Sequence, residues 1–318
     1  MNAATPVMMK AAAIERFGGP GVFRLRTLSV PRPKANEVLI KLDTAGIGVW
    51  DPDAREGELD LGNDGFPQII GNDGAGTVAA VGARVERFRR GDRVYAYTMT
   101  GGFYAEYVTV KQDQVAHVPP GVRRDEAGGL GAVGITALRG LDDQLHVKRG
   151  QRLMIFGASG GIGHVAVQLA KRMGARVFAI ASGPDGVRLV RRLGADAVVD
   201  GRKDDVADAA ARFARKGFDA ALVLAGGKDV TAALRSVKSG GRVAYPNGVE
   251  PAPRAPKGVK VLAYDGTPTR RAFERLNSLI GRARFRVALD RTYTLQEAAD
   301  AHRELGKHHL GKVAFRLH

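Results

Sequence analysis

The 318-residue chain contains no cysteine and a single tryptophan. Without thiols there can be no disulfides, thiolate nucleophiles, iron–sulfur clusters or zinc–sulfur sites. A reducing cytoplasm is therefore the expected compartment. No run of about 18 apolar residues occurs, so no membrane-spanning helix and no membrane partner are expected. The first residues carry no sustained apolar segment and do not read as a secretory signal. Met9 offers an alternative start that would leave the residues before it as a short tail. Acidic residues are scarce relative to basic ones, 33 against 49, for a net charge of +16. A basic surface for nucleic acid or an anionic substrate is one reading. Arginine bias across the whole composition is the other, with 35 arginines to 14 lysines. The basic residues are scattered, as at Arg89-Arg90, Arg123-Arg124 and Arg191-Arg192, and no aromatic-interleaved stripe accompanies them. That favours the compositional reading and disfavours a nucleic-acid partner.

Residues 1–119 read as short strands punctuated by glycine and proline, among them Val38–Leu42, Ala75–Val81, Arg93–Tyr97 and Tyr104–Val110. After Pro119-Pro120-Gly121 the pattern becomes strands alternating with amphipathic helices. Strands are expected at Arg152–Phe156, Arg176–Ala181, Ala197–Val199, Phe218–Leu224, Arg242–Tyr245 and Val259–Ala263. Six apolar strands separated by helices imply a doubly wound parallel sheet covered on both faces, an α/β class. Beyond it come a helix over Arg271–Gly281, a strand near Phe285–Val287, a helix over Leu295–Leu305 and a strand over Lys312–Arg316. The boundaries this sets are 120–265 for the parallel-sheet domain and 1–119 with 266–318 for the other.

The first of the six strands runs into Gly157-Ala158-Ser159-Gly160-Gly161-Ile162-Gly163. A strand, this turn, a helix and a second strand form the unit that binds a dinucleotide. Gly157 serves the tight turn, Gly160 and Gly161 the approach of a pyrophosphate, and Gly163 the close packing of helix on strand. The unpaired N–H groups of the helix start then face the phosphates. The second strand ends at Ser182, where an NAD-specific site carries an acid on the ribose 2′-hydroxyl. Ser182 leaves room for a 2′-phosphate, and Arg188, Arg191, Arg192 and Arg202 lie near in sequence. Those arginines either bind that phosphate or solvate a helix face. The expected cofactor is NADPH, with NADH still open.

The turn also fits short-chain dehydrogenases, but the only Tyr-x-x-x-Lys pair, Tyr107 to Lys111, precedes it. The segments Met9 to Pro20, Phe66 to Val78, Gly91 to Val94, Val133 to Ala137, Leu193 to Asp196 and Gly311 to Val313 occur in one order along the chain. In these segments the chain resembles the zinc-independent quinone oxidoreductase branch of the medium-chain dehydrogenase/reductase superfamily, over nearly its whole length. The resemblance implies a GroES-like β-rich catalytic domain beside the Rossmann sheet. It also implies a homodimer that pairs the last Rossmann strands, here Val259–Ala263. Zinc-dependent members carry metal ligands where this chain has Gly48, Asn72 and Asp73, and their four-cysteine lobe is missing between Tyr97 and Tyr107. No zinc is expected.

With the resemblance, the expected cofactor residues are Gly48, Thr136, Ser159, Gly160, Gly161, Ile162, Ala225, Gly226, Pro246, Asn247, Gly248 and Lys312. Ser182, Arg188 and Arg202 join them from the reading of the second strand's end. The segment Ala45 to Arg55 would line the substrate cleft, with Val49, Trp50 and Asp53 facing it. Trp50 is either a stacking platform for a flat acceptor or a core residue. This segment departs from the family: Gly48 stands for an asparagine and Asp53 for a tyrosine, while Asp51 and Arg55 orient the loop. The family's 2′-phosphate lysine and tyrosine are Gly186 and Gly201 here. Without a Lewis acid, alcohol oxidation lacks its alkoxide stabiliser. The remaining chemistry is hydride transfer to a small electrophile, a quinone or an α,β-unsaturated carbonyl, with no dedicated catalytic side chain. An enoyl-thioester reductase is the alternative within enzymes. A nucleotide-binding protein acting on nucleic acid through its basic surface is the alternative outside them. None of the seven histidines has a compelling role, and a solvated surface setting is expected for them.

Overall fold

The computed structural model describes residues 5–62, 65–227 and 229–317. In chain order the strands are β1 (Met8–Ile14), β2 (Phe23–Ser29), β3 (Glu37–Ile47), β4 (Asp73–Val81), β5 (Arg93–Tyr97), β6 (Tyr107–Lys111), β7 (Val115–His117), β8 (Arg152–Phe156), β9 (Arg176–Ala181), β10 (Ala197–Asp200), β11 (Phe218–Val223), β12 (Val237–Pro246), β13 (Lys260–Tyr264), β14 (Leu289–Tyr293) and β15 (Lys312–Arg316). The helices are α1 (Asp51–Glu56), α2 (Gly131–Leu138), α3 (Gly161–Arg172), α4 (Gly183–Arg192), α5 (Val206–Phe213), α6 (Val230–Leu234), α7 (Arg270–Ile280) and α8 (Ala298–Glu304). Among the described residues no helix is long and apolar enough to cross a membrane.

The chain divides into two compact units. One comprises the residues up to Ala132, Pro268–Asn277 and the chain from Leu289 onward; the other comprises Val133–Thr267 and Ser278–Ala288. In the first unit, β14, β15, β3, β4, β5 and β7 follow one another in a sheet, with β6 also paired to β3, and β1 and β2 form a separate antiparallel pair. The short strands close on a core that includes Ile14, Ile40, Leu42, Ile47, Val94, Phe103, Tyr104 and Phe315.

In the second unit six parallel strands run in the order β10-β9-β8-β11-β12-β13. β8, β9 and β11 are buried almost throughout because helices such as α3, α4 and α5 pack onto the sheet. The order of succession reverses between β8 and β11, the switch point where open α/β sheets bind ligands beyond their carboxyl ends. The doubly wound sheet expected from the alternating pattern is present with its six strands.

Two features differ from the sequence pattern. No strand forms at Phe285–Val287, although Phe285 and Val287 are fully buried. Side chains of α3 take the backbone groups that a sheet would use. The Gln168 amide donates to the Arg286 carbonyl (2.8 Å) and accepts from its N–H (2.9 Å). His164 Nε2 accepts from Ala288 N–H (3.0 Å). The Arg172 guanidinium donates to the carbonyls of Leu279 (2.9 Å), Ile280, Ala283 (3.0 Å) and Arg284 (3.0 Å). Residues 278–288 therefore belong to the second unit. The other difference is the first boundary, which falls inside α2, after Ala132. Gly128 is pressed against Thr44, and a Cβ on Gly131 would lie 2.7 Å from the Ala96 carbonyl oxygen, so this turn packs with β3 and β5.

Replacing Arg172 by alanine strands up to four carbonyls at once. The expected loss is about 2–4 kcal/mol of unfolding free energy, read from urea denaturation midpoints. A change within about 0.5 kcal/mol, as at an ordinary surface site, would show that water replaces the guanidinium without cost.

Candidate functional site

Each unit carries one constellation. In the second unit the expected cofactor residues gather at the carboxyl ends of the parallel strands. Gly157 follows β8 with φ +72°, a conformation that favours glycine. A Cβ on Gly163 would collide with the Gly157 carbonyl oxygen, so glycine there sets how closely α3 approaches the end of β8. Gly160 is the N-cap of α3 and supplies no side chain to its first turn. A Cβ on Gly160 would meet nothing nearer than 3.5 Å, and Gly160, Gly161 and Ile162 are half-buried. The helix thus begins with uncapped N–H groups beside open space, which suits a pyrophosphate. His164, buried, braces this turn by a hydrogen bond between its Nδ1 and the Gly160 carbonyl (3.0 Å).

Ser159 is buried and its Oγ accepts from Ser182 N–H (3.3 Å). Ser182 is the N-cap of α4, half-buried, and its hydroxyl makes no capping bond. Arg188 is exposed on α4, and Arg202 is exposed in the turn after β10. Asp200 joins these turns by accepting from Gly183 N–H and Arg202 N–H, both at 3.0 Å. Burial opposes its ionisation, yet those two N–H groups with Lys203 and Arg202 outweigh burial and hold its carboxyl below the usual range. A Cβ at Gly186 would lie 2.9 Å from Ser159 Oγ, and one at Gly201 2.9 Å from Ile180 Cγ2. A side chain at either position would need its neighbour to shift.

Beyond β11, exposed Ala225 lies beside Gly157 across the switch point, and Gly226 is pressed against the Glu250 carbonyl. At the end of β12, Pro246 is buried, and in the turn that follows Gly248 has φ +89° and Asn247 donates to Asp265 Oδ1 (2.7 Å). Thr136 is buried against Gly266, and its carbonyl accepts from the Tyr264 hydroxyl (3.1 Å). The strand ends therefore bring together uncapped N–H groups, an open glycine and a Ser182 hydroxyl that makes no capping bond.

In the first unit the segment after β3 enters α1. Val49 is exposed, Trp50 is the half-buried N-cap of α1, and Asp53 is exposed in its first turn. The Trp50 indole lies 3.0 Å from where a Gly48 Cβ would stand, so it takes the space that a side chain at position 48 would occupy. Lys312, buried on β15, donates to the Ile47 carbonyl (3.1 Å) and lies 3.7 Å from Asp73. Asn72 donates to the Thr98 carbonyl (2.8 Å), and Asp73 accepts from Ala132 N–H (3.0 Å). A donor set of glycine, an amide and a lysine-bound carboxylate, with no histidine or cysteine, does not suit zinc, although the Asn72 Oδ1 has no partner. Among the described residues no three His, Cys, Asp or Glu side chains gather as a metal-binding group.

The network the sequence did not reveal lies behind this segment. Asp51, 1% exposed, accepts at Oδ2 from Gly48 N–H (2.7 Å) and from the Tyr104 hydroxyl (2.6 Å), while its Oδ1 has no partner. Tyr104 also meets His302 Nε2 (3.1 Å), and His302 Nδ1 meets the Arg55 guanidinium (2.9 Å). Burial, with the negative charge of Asp73, pushes the Asp51 carboxyl up to about 6, although Tyr104, Gly48 N–H and Lys312 pull the other way. Burial and then the Arg55 charge push His302 down to about 3. His164 and His302 are thus buried, which corrects the solvated setting expected for the histidines. Asp51 and Arg55 stood in the quoted segment; their partners, 53 and 247 residues away, had no local signal.

His302 binds its proton more weakly folded than unfolded. Its contribution to stability is full above its unfolded value of about 6.5 and is lost as pH falls from there towards 3, a loss of several kcal/mol at the limit. Urea midpoints between pH 7 and pH 4 should fall more steeply for the native protein than for His302→Gln. Parallel curves would show that His302 does not carry this linkage.

Residues 34–120 match the family model of the alcohol dehydrogenase GroES-like domain, and residues 161–249 that of the zinc-binding dehydrogenase. The chain is 30% identical to the quinone oxidoreductase of Sus scrofa over 311 residues, 94% of each chain. A mycobacterial protein solved in complex with NADPH is 28% identical at a TM-score of 0.83, over 97% of this chain and 100% of that one. A solved NAD-dependent alcohol dehydrogenase is 27% identical at a TM-score of 0.86, over 98% of this chain and 100% of that one.

Proposed function

For a chain that belongs to the quinone oxidoreductase family of the medium-chain dehydrogenase/reductase superfamily, we propose an NADPH-dependent, metal-free reductase of quinones or α,β-unsaturated carbonyls. That it is an oxidoreductase using a nicotinamide cofactor follows from the family; the choice of NADPH and of acceptor is our reading. The observation that carries it is the end of β9, where the Ser182 hydroxyl is uncommitted and no carboxylate occupies that position, with Arg188 and Arg202 exposed on the adjoining turns. A 2′-phosphate finds hydroxyl and guanidinium donors there, whereas position 182 offers a free ribose no acid.

When bound, the reduced nicotinamide supplies the hydride. The protein's own residues bind and orient. The α3 N-terminus takes the pyrophosphate, the Ala225-Gly226 and Pro246-Asn247-Gly248 turns bracket the ribose and base, and Thr136 borders the nicotinamide end. Val49, Trp50 and Asp53 face the acceptor, and Trp50 offers a flat apolar surface to a quinone ring. The donor set at Gly48, Asn72 and Asp73 leaves an alcohol without a Lewis acid, which favours conjugated acceptors over alcohol oxidation.

The test is consumption of NADPH and NADH with para- and ortho-quinones, enals, enones and crotonyl thioesters. NADPH should be preferred, and Ser182→Asp should reverse the preference by about tenfold or more through repulsion of the 2′-phosphate. Failure of every acceptor would end the reductase reading, and turnover on the thioester alone would favour the enoyl-thioester alternative. Salt-dependent binding of nucleic acid without any turnover would favour the third.

We also propose a homodimer in a cytoplasmic setting. β13 is an outer strand of the parallel sheet, with Val261 38% exposed on it. An unpaired edge of this kind invites pairing with a second copy. Light scattering should give twice the chain mass, and Val261→Lys should shift it towards the monomer. A monomeric native protein would overturn this.

A further inference from the structure

Basic residues that are scattered along the sequence converge at one place in the second unit. A cavity of about 320 Å³ opens there, and five of its eight lining residues are cationic while none is acidic. The whole chain has 49 lysines and arginines among 318 residues, a share that puts about one cation among eight. Local geometry explains each wall. On α3, Gln168, Lys171 and Arg172 stand at i, i+3 and i+4 and share a face; at the end of α4, Leu189, Arg192 and Leu193 do the same. The third wall comes from residues 278–288. Phe285 and Val287 are fully buried there, whereas Arg284 and Arg286 are exposed and reach the cavity together.

Folding itself uses two of these cations. Lys171 and Arg172 lie in the last turn of α3, at the negative end of its dipole, and both have partners. Lys171 Nζ donates to Asp196 (2.7 Å) and to the Ala175 carbonyl (3.1 Å). Arg172 commits its donors to the four carbonyls of residues 279–284 and lies 5.1 Å from the centroid of the Phe285 ring. Carbonyls and a ring satisfy the guanidinium but carry no net charge, and no carboxylate pairs with it among the described residues. Burial alone acts on it, lowering its hold on the proton. Arg192 and Arg286 have no structural task of this kind. Both are exposed, and neither side chain makes a hydrogen bond or ion pair among the described residues. One wall of the cavity thus carries an unpaired guanidinium on α4, and another carries one on the segment 278–288.

We propose that this cavity is a binding site for a small ligand that carries a diphosphate group. A guanidinium presents paired N–H donors that match the oxygens of a phosphate two at a time. Unpaired guanidiniums on two walls suit an anion with charge at both ends, and Arg172 adds its field from behind. Leu189, buried, and Leu193, half-buried, supply the apolar part of the lining. The volume lies at the lower end of the range for small-molecule sites, about 300–1,000 Å³. The cavity stands apart from the expected dinucleotide turn. That turn faces the N-terminal ends of α3 and α4, whereas Lys171, Arg172 and Arg192 lie in their last turns. Along α4 the ten residues from Gly183 to Arg192 span about 15 Å. A diphosphate occurs free as pyrophosphate or within a nucleoside diphosphate, and a titration separates the two.

Calorimetric titration of the full chain with inorganic pyrophosphate, ADP and citrate, at one ionic strength, tests this. Pyrophosphate or ADP should bind saturably, and the tighter of the two identifies the source of the diphosphate. Arg192→Gln and Arg286→Gln should each weaken that binding about tenfold or more. Neither side chain has a partner to lose, so the urea midpoints of both variants should match that of the native protein. Arg191→Gln removes the same charge from the same end of α4 but outside the lining, and it should leave the affinity unchanged. An equal loss in Arg191→Gln, or citrate binding as tightly as the diphosphates, would show diffuse attraction to a basic face and overturn the site. A loss confined to the pair Arg188→Gln and Arg202→Gln would place the anion at the dinucleotide turn and overturn it as well. So would the absence of saturable binding, and none of these results bears on whether the chain reduces quinones or enones.

Discussion

The contact between Gly163 and the carbonyl of Gly157 organises the second unit. Because neither residue carries a Cβ, the first turn of α3 settles onto the end of β8 at backbone distance. The helix then starts beside the switch point of the sheet with its N–H groups uncapped. An alanine at either position would push the helix outward or force the turn out of its left-handed conformation. The same approach places Gly160 where its carbonyl can be braced by His164, whose other nitrogen holds Ala288. One close approach thus links the phosphate-facing turn to residues more than a hundred positions later.

A comparable economy governs the first unit. Gly48 leaves room for the Trp50 indole, and its N–H binds Asp51, so the bend after β3 is held by the carboxylate that follows it. Asp51 is in turn tied through Tyr104 and His302 to Arg55, one turn along α1 from Asp51 itself. The loop is closed by side chains from α8 and from the segment before β6. All four of its members can ionise, and burial shifts Asp51, Tyr104 and His302 towards their neutral forms. The guanidinium of Arg55 keeps its charge and is paired with Glu56.

Much of this was legible in the residues. The strand–glycine turn–helix unit, the six apolar strands and the order of the family segments depend on local spacing, and local spacing survives folding. The strands Arg93–Tyr97, Arg152–Phe156, Arg176–Ala181 and Lys312–Arg316 have the bounds their patterns indicate. The pattern failed at Phe285–Val287, where apolar alternation reports burial but not what satisfies the backbone. Gln168 and Arg172 do that from another helix, and no feature of residues 278–288 announces it.

The substitutions at Gly186 and Gly201 show the same division. In the sequence they are missing ligands; in three dimensions they are places where a side chain would need Ser159 or Ile180 to shift. His302 reads as one more polar residue in a charged helix, yet burial and two hydrogen bonds make it a neutral link between Arg55 and Tyr104. The sequence alone determined the fold class and the strand–glycine turn–helix unit, because both follow from residue type at short range. Only the tertiary structure decided which carboxylate is buried with a free oxygen, because that depends on donors brought together from distant segments and on the water their packing excludes.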